Sequence, residues 1–175
     1  MQNNSLSRAD LSYEQGSIKN VHYGDVLIKF GEILDVGSAE LPFISNNKFT
    51  VSSTLLLQNG DVIIADAAED ATVGKCCEIK GIDGVSVVSG LHTIPCRPNK
   101  MFASGYLGYY LNSKAYHDQL FPLIQGAKIS SISKSALLNT DIIYPNSEQE
   151  QLQVGQFFES LDNLITLHQR MLNVF

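Results

Sequence analysis

Apolar residues change period along this chain, and the changes divide it into segments. From Ser147 to the last residue the pattern is helical: Val154, Phe157, Leu161, Leu164, His168, Met171 and Phe175 recur at alternating spacings of three and four. That is the spacing of the a and d positions of a coiled-coil seam, and Phe158, Ile165 and Leu172 widen the stripe. Pro145 ends the preceding apolar run Asp141-Ile142-Ile143, because proline donates no N–H and turns its predecessor away from helical angles. Ser147 stands three residues before Glu150, the spacing of a capping box. Spacing alone leaves two uses for the stripe, packing on its own domain or joining a second helix. His168 fits a register-setting polar position better than a metal ligand, since no histidine or cysteine lies one helical turn away.

Upstream the runs are short and rich in β-branched residues. Gly24-Asp25-Val26-Leu27-Ile28 and Gly60-Asp61-Val62-Ile63-Ile64 each read as a turn leading into a strand, with Asn59-Gly60 as the turn dipeptide of the second. Further strands are expected over residues 75–79, 85–88 and 92–96, the last stopped by Arg97-Pro98. Between Met101 and Leu123 the period becomes helical, with Phe102, Tyr106, Tyr109, Tyr110, Ser113 and Tyr116 at turn spacing. The tyrosines read as a packed face rather than a base-stacking platform. The segment from Gln125 to Lys134 is small, polar and cationic, with Ile129 and Ile132 as apolar anchors, and it is the best local candidate for touching phosphate.

Composition narrows this picture without redirecting it. The chain has 175 residues, 44% hydrophobic and 17% charged, which suits one core-bearing domain plus an appendage. We place the domain at residues 1–146 and the helix at 147–175. No run approaches eighteen uninterrupted apolar residues and no basic start precedes an apolar stretch, so a cytoplasmic protein without a membrane span is expected. Cys76, Cys77 and Cys96 are an odd set that provides neither a disulfide framework nor paired zinc spacing, and they read as small buried hydrophobes. The net charge of −6 excludes a generally basic nucleic-acid binder, although Glu148, Glu150, Glu159 and Asp162 against Arg170 place half of it in the final helix. Any nucleic-acid site must be local.

Candidate chemistry is sparse. Asp61 or Asp66, followed by Glu78-Ile79-Lys80, imitates the acid and acid-any-lysine pattern with which nucleases hold magnesium, a permissive spacing that arises readily by chance. The chain has no phosphate-binding loop ending in Gly-Lys-Ser/Thr, no dinucleotide fingerprint and no nucleophile elbow, and its four histidines are scattered. A metal-dependent nuclease using Asp66, Glu78 and Lys80 is one alternative class. A dimeric scaffold that binds no DNA is another.

Several segments together resemble one half of the specificity subunit of a type I restriction-modification system, a target recognition domain followed by its spacer helix. They are 59–66, 88–98 (Val-Ser-Gly-Leu-His-Thr-Ile-Pro-Cys-Arg-Pro), 106–113 (Tyr-Leu-Gly-Tyr-Tyr-Leu-Asn-Ser), 126–133, and the strand-like Asp141-Ile142-Ile143-Tyr144-Pro145 before Glu150-Gln151, Val154, Leu161, Asp162 and Ile165. The resemblance runs from about Gly24 to Leu172, and it rests on the order of motifs that are weak singly.

What the resemblance implies is an α+β fold: a twisted, mostly antiparallel β-sheet recognition domain with flanking helices, then a long coiled-coil-type helix. Such a subunit is not an enzyme. It reads half of a split double-stranded DNA target, and its helix sets the distance to the other half. Methyltransferase and restriction subunits dock on it, and they rather than this chain use S-adenosylmethionine, ATP and Mg2+; no metal or cofactor is expected here. A full specificity subunit has two domains and two helices, so this chain reads either as a half-subunit that pairs with itself or as a fragment. On this reading Lys128 and Lys134 contact phosphates, with Ser130 and Ser131 donating to phosphate or base. The segment 66–75, with Glu69, Thr72 and Lys75, reaches the major groove or is an exposed hairpin with solvated charges. His92 and Arg97 are each open to a structural role as well as a DNA contact. Val154, Phe157, Leu161, Leu164, His168, Met171 and Phe175 form the dimer or partner seam.

Overall fold

Strand alternation decides the architecture. In the computed structural model, which describes residues 1–45 and 50–172, the elements run β1 (Leu11–Ser12), β2 (Ile18–Val21), α1 (Tyr23–Ile28), β3 (Ile33–Asp35), β4 (Phe43–Ile44), β5 (Val62–Ala65) and β6 (Ala67–Ala68). They continue β7 (Cys76–Lys80), β8 (Ser86–Ser89), β9 (Thr93–Cys96), α2 (Tyr106–Asn112), α3 (Lys114–Leu120), β10 (Ser130–Ser131), α4 (Lys134–Leu137) and α5 (Glu148–Leu172). One sheet has the order β1-β4-β2-β8, a second β3-β7-β5-β9, and β10 pairs with β6. Among the described residues only β2 with β8 and β3 with β7 are parallel, so the sheets are mostly antiparallel, as expected.

β5 is buried on both faces. Its period of two sends Val62 and Ile64 into one apolar cluster with Tyr106, Leu107, Leu111, Tyr116 and Leu120 of α2 and α3. It sends Ile63 and Ala65 into another with Val21, Val26, Leu34 and Val87. β7 obeys the same rule. Cys77 and Ile79 join the second cluster, whereas Cys76 and Glu78 face α2. The cysteines are free and Cys76 and Cys77 fully buried, and desolvation pushes the Cys77 thiol up to about 12, so they serve as core hydrophobes.

Three expectations are corrected. Gly24 to Ile28 is a helix, not a strand: His22 caps it by accepting from the Gly24 N–H through Nδ1 at 3.2 Å. Asp25 is buried beneath it against the Arg8 guanidinium at 2.8 Å. A strand would have turned Asp25 and Leu27 to one face, while one helical turn buries Asp25 and Val26 and leaves Ile28 84% exposed. The helical pattern of 101–123 is broken into α2 and α3 at Ser113, whose extended backbone (ψ 152°) ends one helix and whose hydroxyl caps the next. Residues 141–145 form no strand. Side chains replace the ladder there: the Gln119 amide brackets Asp141 at 2.9 and 3.1 Å, and the Tyr110 hydroxyl accepts from the Ile143 N–H.

The final helix begins where expected, with Ser147 Oγ accepting from the Glu150 N–H at 3.3 Å. Its first turns dock on the domain. Gln151 is buried, accepting from the Ala103 N–H at 3.0 Å and donating to the Pro145 carbonyl at 2.7 Å. Gly155 lies against the backbone of Ser104, Gly105 and Tyr106 so closely that a β-carbon would meet it at 3.4 Å. Phe158 stacks on Tyr109, Asp162 accepts from the Tyr109 hydroxyl at 2.7 Å, and Glu159 pairs with Lys80 at 2.7 Å. From Ser160 to Leu172 every residue is exposed.

Candidate nucleic-acid interface

The loop 69–74 and the hairpin turn 126–129 are distant in sequence, yet β6 and β10 bring them side by side. Ser130 lies opposite Ala68 and Ser131 opposite Ala67. The hairpin closes through reciprocal bonds between Gln125 and Ser131 at 2.9 and 2.7 Å. Gly126 makes the turn possible, since with φ +113° a β-carbon would overlap the Ile129 carbonyl. Ile132 is buried as the anchor of this segment, while Ile129 is 60% exposed and anchors nothing. The result is a polar rim carrying exposed Glu69, Asp70, Thr72, Lys128 and Ser131, with Ser130 half-buried. Asp70 accepts from the Thr72 hydroxyl and N–H, which fixes the loop and holds its carboxyl below the usual range.

The cations expected on this rim separate into different roles. Lys128 is exposed and makes no ion pair or hydrogen bond among the described residues. Lys134, also exposed, donates to the Met1 carbonyl at 2.9 Å. Lys75 is corrected: its ammonium turns inward and donates to the Leu27 and Phe30 carbonyls at 3.0 and 2.9 Å, where it caps the C-terminal end of α1 rather than facing a base. Most other cations are consumed inside the domain. Arg97 forks onto buried Asp61 at 2.8 and 2.7 Å, which raises its pKa, and so acts as a staple from β9 to the β5 turn. Lys29 and Lys114 pair with Asp25 and Asp118, and Lys100 sits over the Tyr144 ring at 4.0 Å. If Lys128 touches phosphate, Lys128→Ala lowers the salt slope of DNA binding by about 0.9, one counterion's worth, without altering sequence preference. An unchanged slope in a salt titration removes Lys128 from the interface.

The nuclease alternative is also corrected. Asp66 bonds His92, Glu78 caps α2 by accepting from the Gly105 and Gly108 N–H groups at 2.7 and 3.0 Å, and Lys80 pairs with Glu159. Each supposed catalytic group is committed to a different structural partner. Among the described residues no three His, Cys, Asp or Glu side chains converge as metal ligands.

The helix seam divides in the same way. Val154 packs against the α2–α3 cluster. Phe157 (60% exposed), Leu164 (63%) and Met171 (58%) face outward with His168, and Leu161 is also exposed. Phe175 lies outside the described residues. On the docking face of Gln151, Gly155, Phe158 and Asp162 only Phe158 belongs to the apolar stripe read from the sequence; the other three are polar or small, and the spacing of four, three and four was the available signal for the face as a whole.

The tyrosines form the packed face expected, with Tyr106 and Tyr116 buried and Tyr110 between them, stacked on Tyr106 and tilted against Tyr116. Among the described residues no helix is long and apolar enough to cross a membrane.

The family model of the type I restriction modification DNA specificity domain matches residues 12–174. Three solved structures are similar in fold. One comes from work on complex assembly and conformational transition of the type I R-M system (TM-score 0.60, 17% identity, covering 98% of this chain and 37% of that one). Another is the HsdS subunit from Thermoanaerobacter tengcongensis (TM-score 0.53, 16% identity, 97% and 36%). A third is the type I restriction-modification S subunit from M. genitalium (TM-score 0.52, 14% identity, 95% and 38%). The chain spans less than two-fifths of the length of each. No curated protein matches it.

Proposed function

We infer that this chain, which belongs to the type I restriction-modification DNA specificity domain family, reads one half of a split double-stranded DNA sequence and carries no chemistry of its own. The observation that carries this reading is the separation of two surfaces by β7. At its start Lys75 is pinned to α1, beside the loop rim; about 16 Å on, Lys80 is pinned to the spacer helix. The domain thus holds a polar rim at one end and a rigidly docked helix, with a free apolar stripe, at the other.

On this reading the rim meets DNA. Lys128 and Lys134 position the backbone, and Ser130, Ser131, Glu69 and Thr72 face phosphates or base edges. With most cations consumed internally and a net charge of −6, the chain alone binds DNA weakly, and partner methyltransferase subunits supply much of the cationic field. The exposed seam pairs with the corresponding helix of a second copy, antiparallel, as a symmetric half-subunit dimer. A helix of this length spans roughly 40 Å, near one duplex turn, which suits two half-sites. The methyltransferase subunits use S-adenosylmethionine, and a restriction subunit uses ATP and Mg2+, in the cytoplasm.

Co-expression with the cognate methyltransferase subunit, followed by mapping of methylated bases across the host genome, tests this. A two-part motif that appears only with this chain is the expected result, and a symmetric motif identifies two copies of one domain. A complex without methylation, or no complex, overturns the reading.

A further inference from the structure

We propose that His92 is a base-reading residue: from a constrained turn beside the rim, its Nε2 accepts a hydrogen bond from the exocyclic amino group of cytosine or adenine in the major groove. This rests on the DNA-reading assignment above and adds to it a residue outside the two loops.

The backbone is the first observation. His92 has φ +54°, and it is the only non-glycine among the described residues with positive φ. Residues with a β-carbon rarely adopt that conformation, and a turn of purely structural purpose is served more easily by glycine. Held in place by surrounding structure, such an outlier points to function.

The surroundings do hold it. Beneath the turn lies a buried polar ladder, in which the Asn4 amide donates to Asn20 Oδ1 at 2.7 Å and to the Ser89 carbonyl at 3.0 Å. The Ser89 and Thr93 hydroxyls meet at 2.6 Å, and Thr93 also donates to the Gly90 carbonyl at 2.6 Å. Asn20, Ser89 and Thr93 are at most 1% exposed. At Gly90 a β-carbon would meet the Asn20 amide at 2.6 Å, so the turn seats directly on this ladder.

The ring is equally fixed but remains accessible. Its Nδ1 lies 3.1 Å from Asp66 Oδ1, its edge packs T-shaped against Tyr23 at 5.3 Å, and the side chain is 51% exposed. A carboxylate only accepts, so the proton of this bond sits on Nδ1, and the tautomer with its single proton there presents Nε2 as an acceptor. An acceptor of fixed direction is what an exocyclic amino group requires, as a carboxylate provides for cytosine N4.

Position completes the case. Asp66 donates its N–H to the His92 carbonyl at 3.1 Å and accepts from the Ile132 N–H at 2.9 Å. Asp66 therefore ties the histidine turn to the residue that follows Ser130 and Ser131, at the edge of the strand pair that carries the rim.

The test compares wild type, His92→Gly and His92→Asn, each co-expressed with the cognate methyltransferase subunit, by methylated-motif mapping. Glycine relieves the backbone, so the variant keeps its fold, as thermal melting of the purified chain verifies. Asparagine tolerates the same φ and retains a side-chain acceptor. Expected is a roughly tenfold loss of discrimination at one base pair of the motif in the glycine variant, with recovery toward wild type in the asparagine variant. An unchanged motif overturns the proposal, and so does uniform weakening at every site, which would make His92 a phosphate contact. Absence of any motif with the wild-type chain overturns the functional reading itself, and this inference with it, so the two failures are distinguishable.

Discussion

Leu164→Asp combined with Met171→Asp is expected to leave the domain folded and, on the proposal that the exposed seam pairs two copies, to weaken that pairing severely. Both side chains lie on the exposed part of the helix, 63% and 58% accessible, beyond the turns that dock through Gln151, Gly155 and Phe158. Neither substitution touches the domain, so thermal stability should change by less than about 0.5 kcal/mol, as for surface positions generally. In a symmetric pair each change counts twice. Four apolar side chains lose burial worth at least about 1.5 kcal/mol each, and four carboxylates enter the seam. Self-association should weaken at least roughly ten-thousandfold by that arithmetic. Sedimentation equilibrium of wild type and variant decides it. A wild-type monomer at high concentration, or a variant that pairs as well as wild type, removes the seam as a self-association surface and leaves it to a methyltransferase subunit or a second helix of a longer chain.

Glu78→Ala destabilises the domain by about 2 to 4 kcal/mol. Its carboxylate is 3% exposed and accepts from two N–H groups at the start of α2, so truncation leaves those donors buried and unpaired beside a new cavity. Chemical denaturation followed by circular dichroism measures the loss, and a change below about 1 kcal/mol would show that α2 does not depend on this cap. Stability should also carry a signature in pH. Burial pushes the Glu78 carboxyl above the usual range, against the lowering effect of the Gly105, Gly108 and Leu107 N–H groups. The folded chain therefore binds this proton at higher pH than the unfolded chain. Its contribution is fully present in acid, below the ordinary carboxyl value, and declines as pH rises through the folded value. Glu78→Gln, neutral throughout, should flatten that part of the stability curve; a variant whose pH dependence matches wild type would contradict it.

The acid-any-lysine triplet 78–80 shows what a local pattern cannot resolve. Its two charged side chains lie on one face of β7 because strand alternation places them there, and that face meets α2 and the spacer helix. Five residues earlier Lys75 meets α1 instead. Both lysines looked equally available in the sequence. Their partners lie 45 to 79 positions away along the chain, so no spacing rule contains them.

Local pattern was enough to place strands at 60–64, 75–79, 85–88 and 92–96, each within two residues of its observed bounds, together with the stop at Pro145, the Ser147 cap and the apolar stripe of the last helix. These follow from nearest-neighbour chemistry and from periodicities repeated within one element. The ordered motifs of the sequence also carried the family resemblance that the match over residues 12–174 bears out. Tertiary structure alone decided that Gly24 to Ile28 is a helix, since a short apolar run fits either state until His22 caps it and Asp25 finds Arg8. It alone joined the 69–74 and 126–129 loops, turned Lys75 inward, and set His92 on its buried ladder. Those outcomes depend on which side chains distant strands bring within hydrogen-bond reach, a property of the folded topology rather than of any segment.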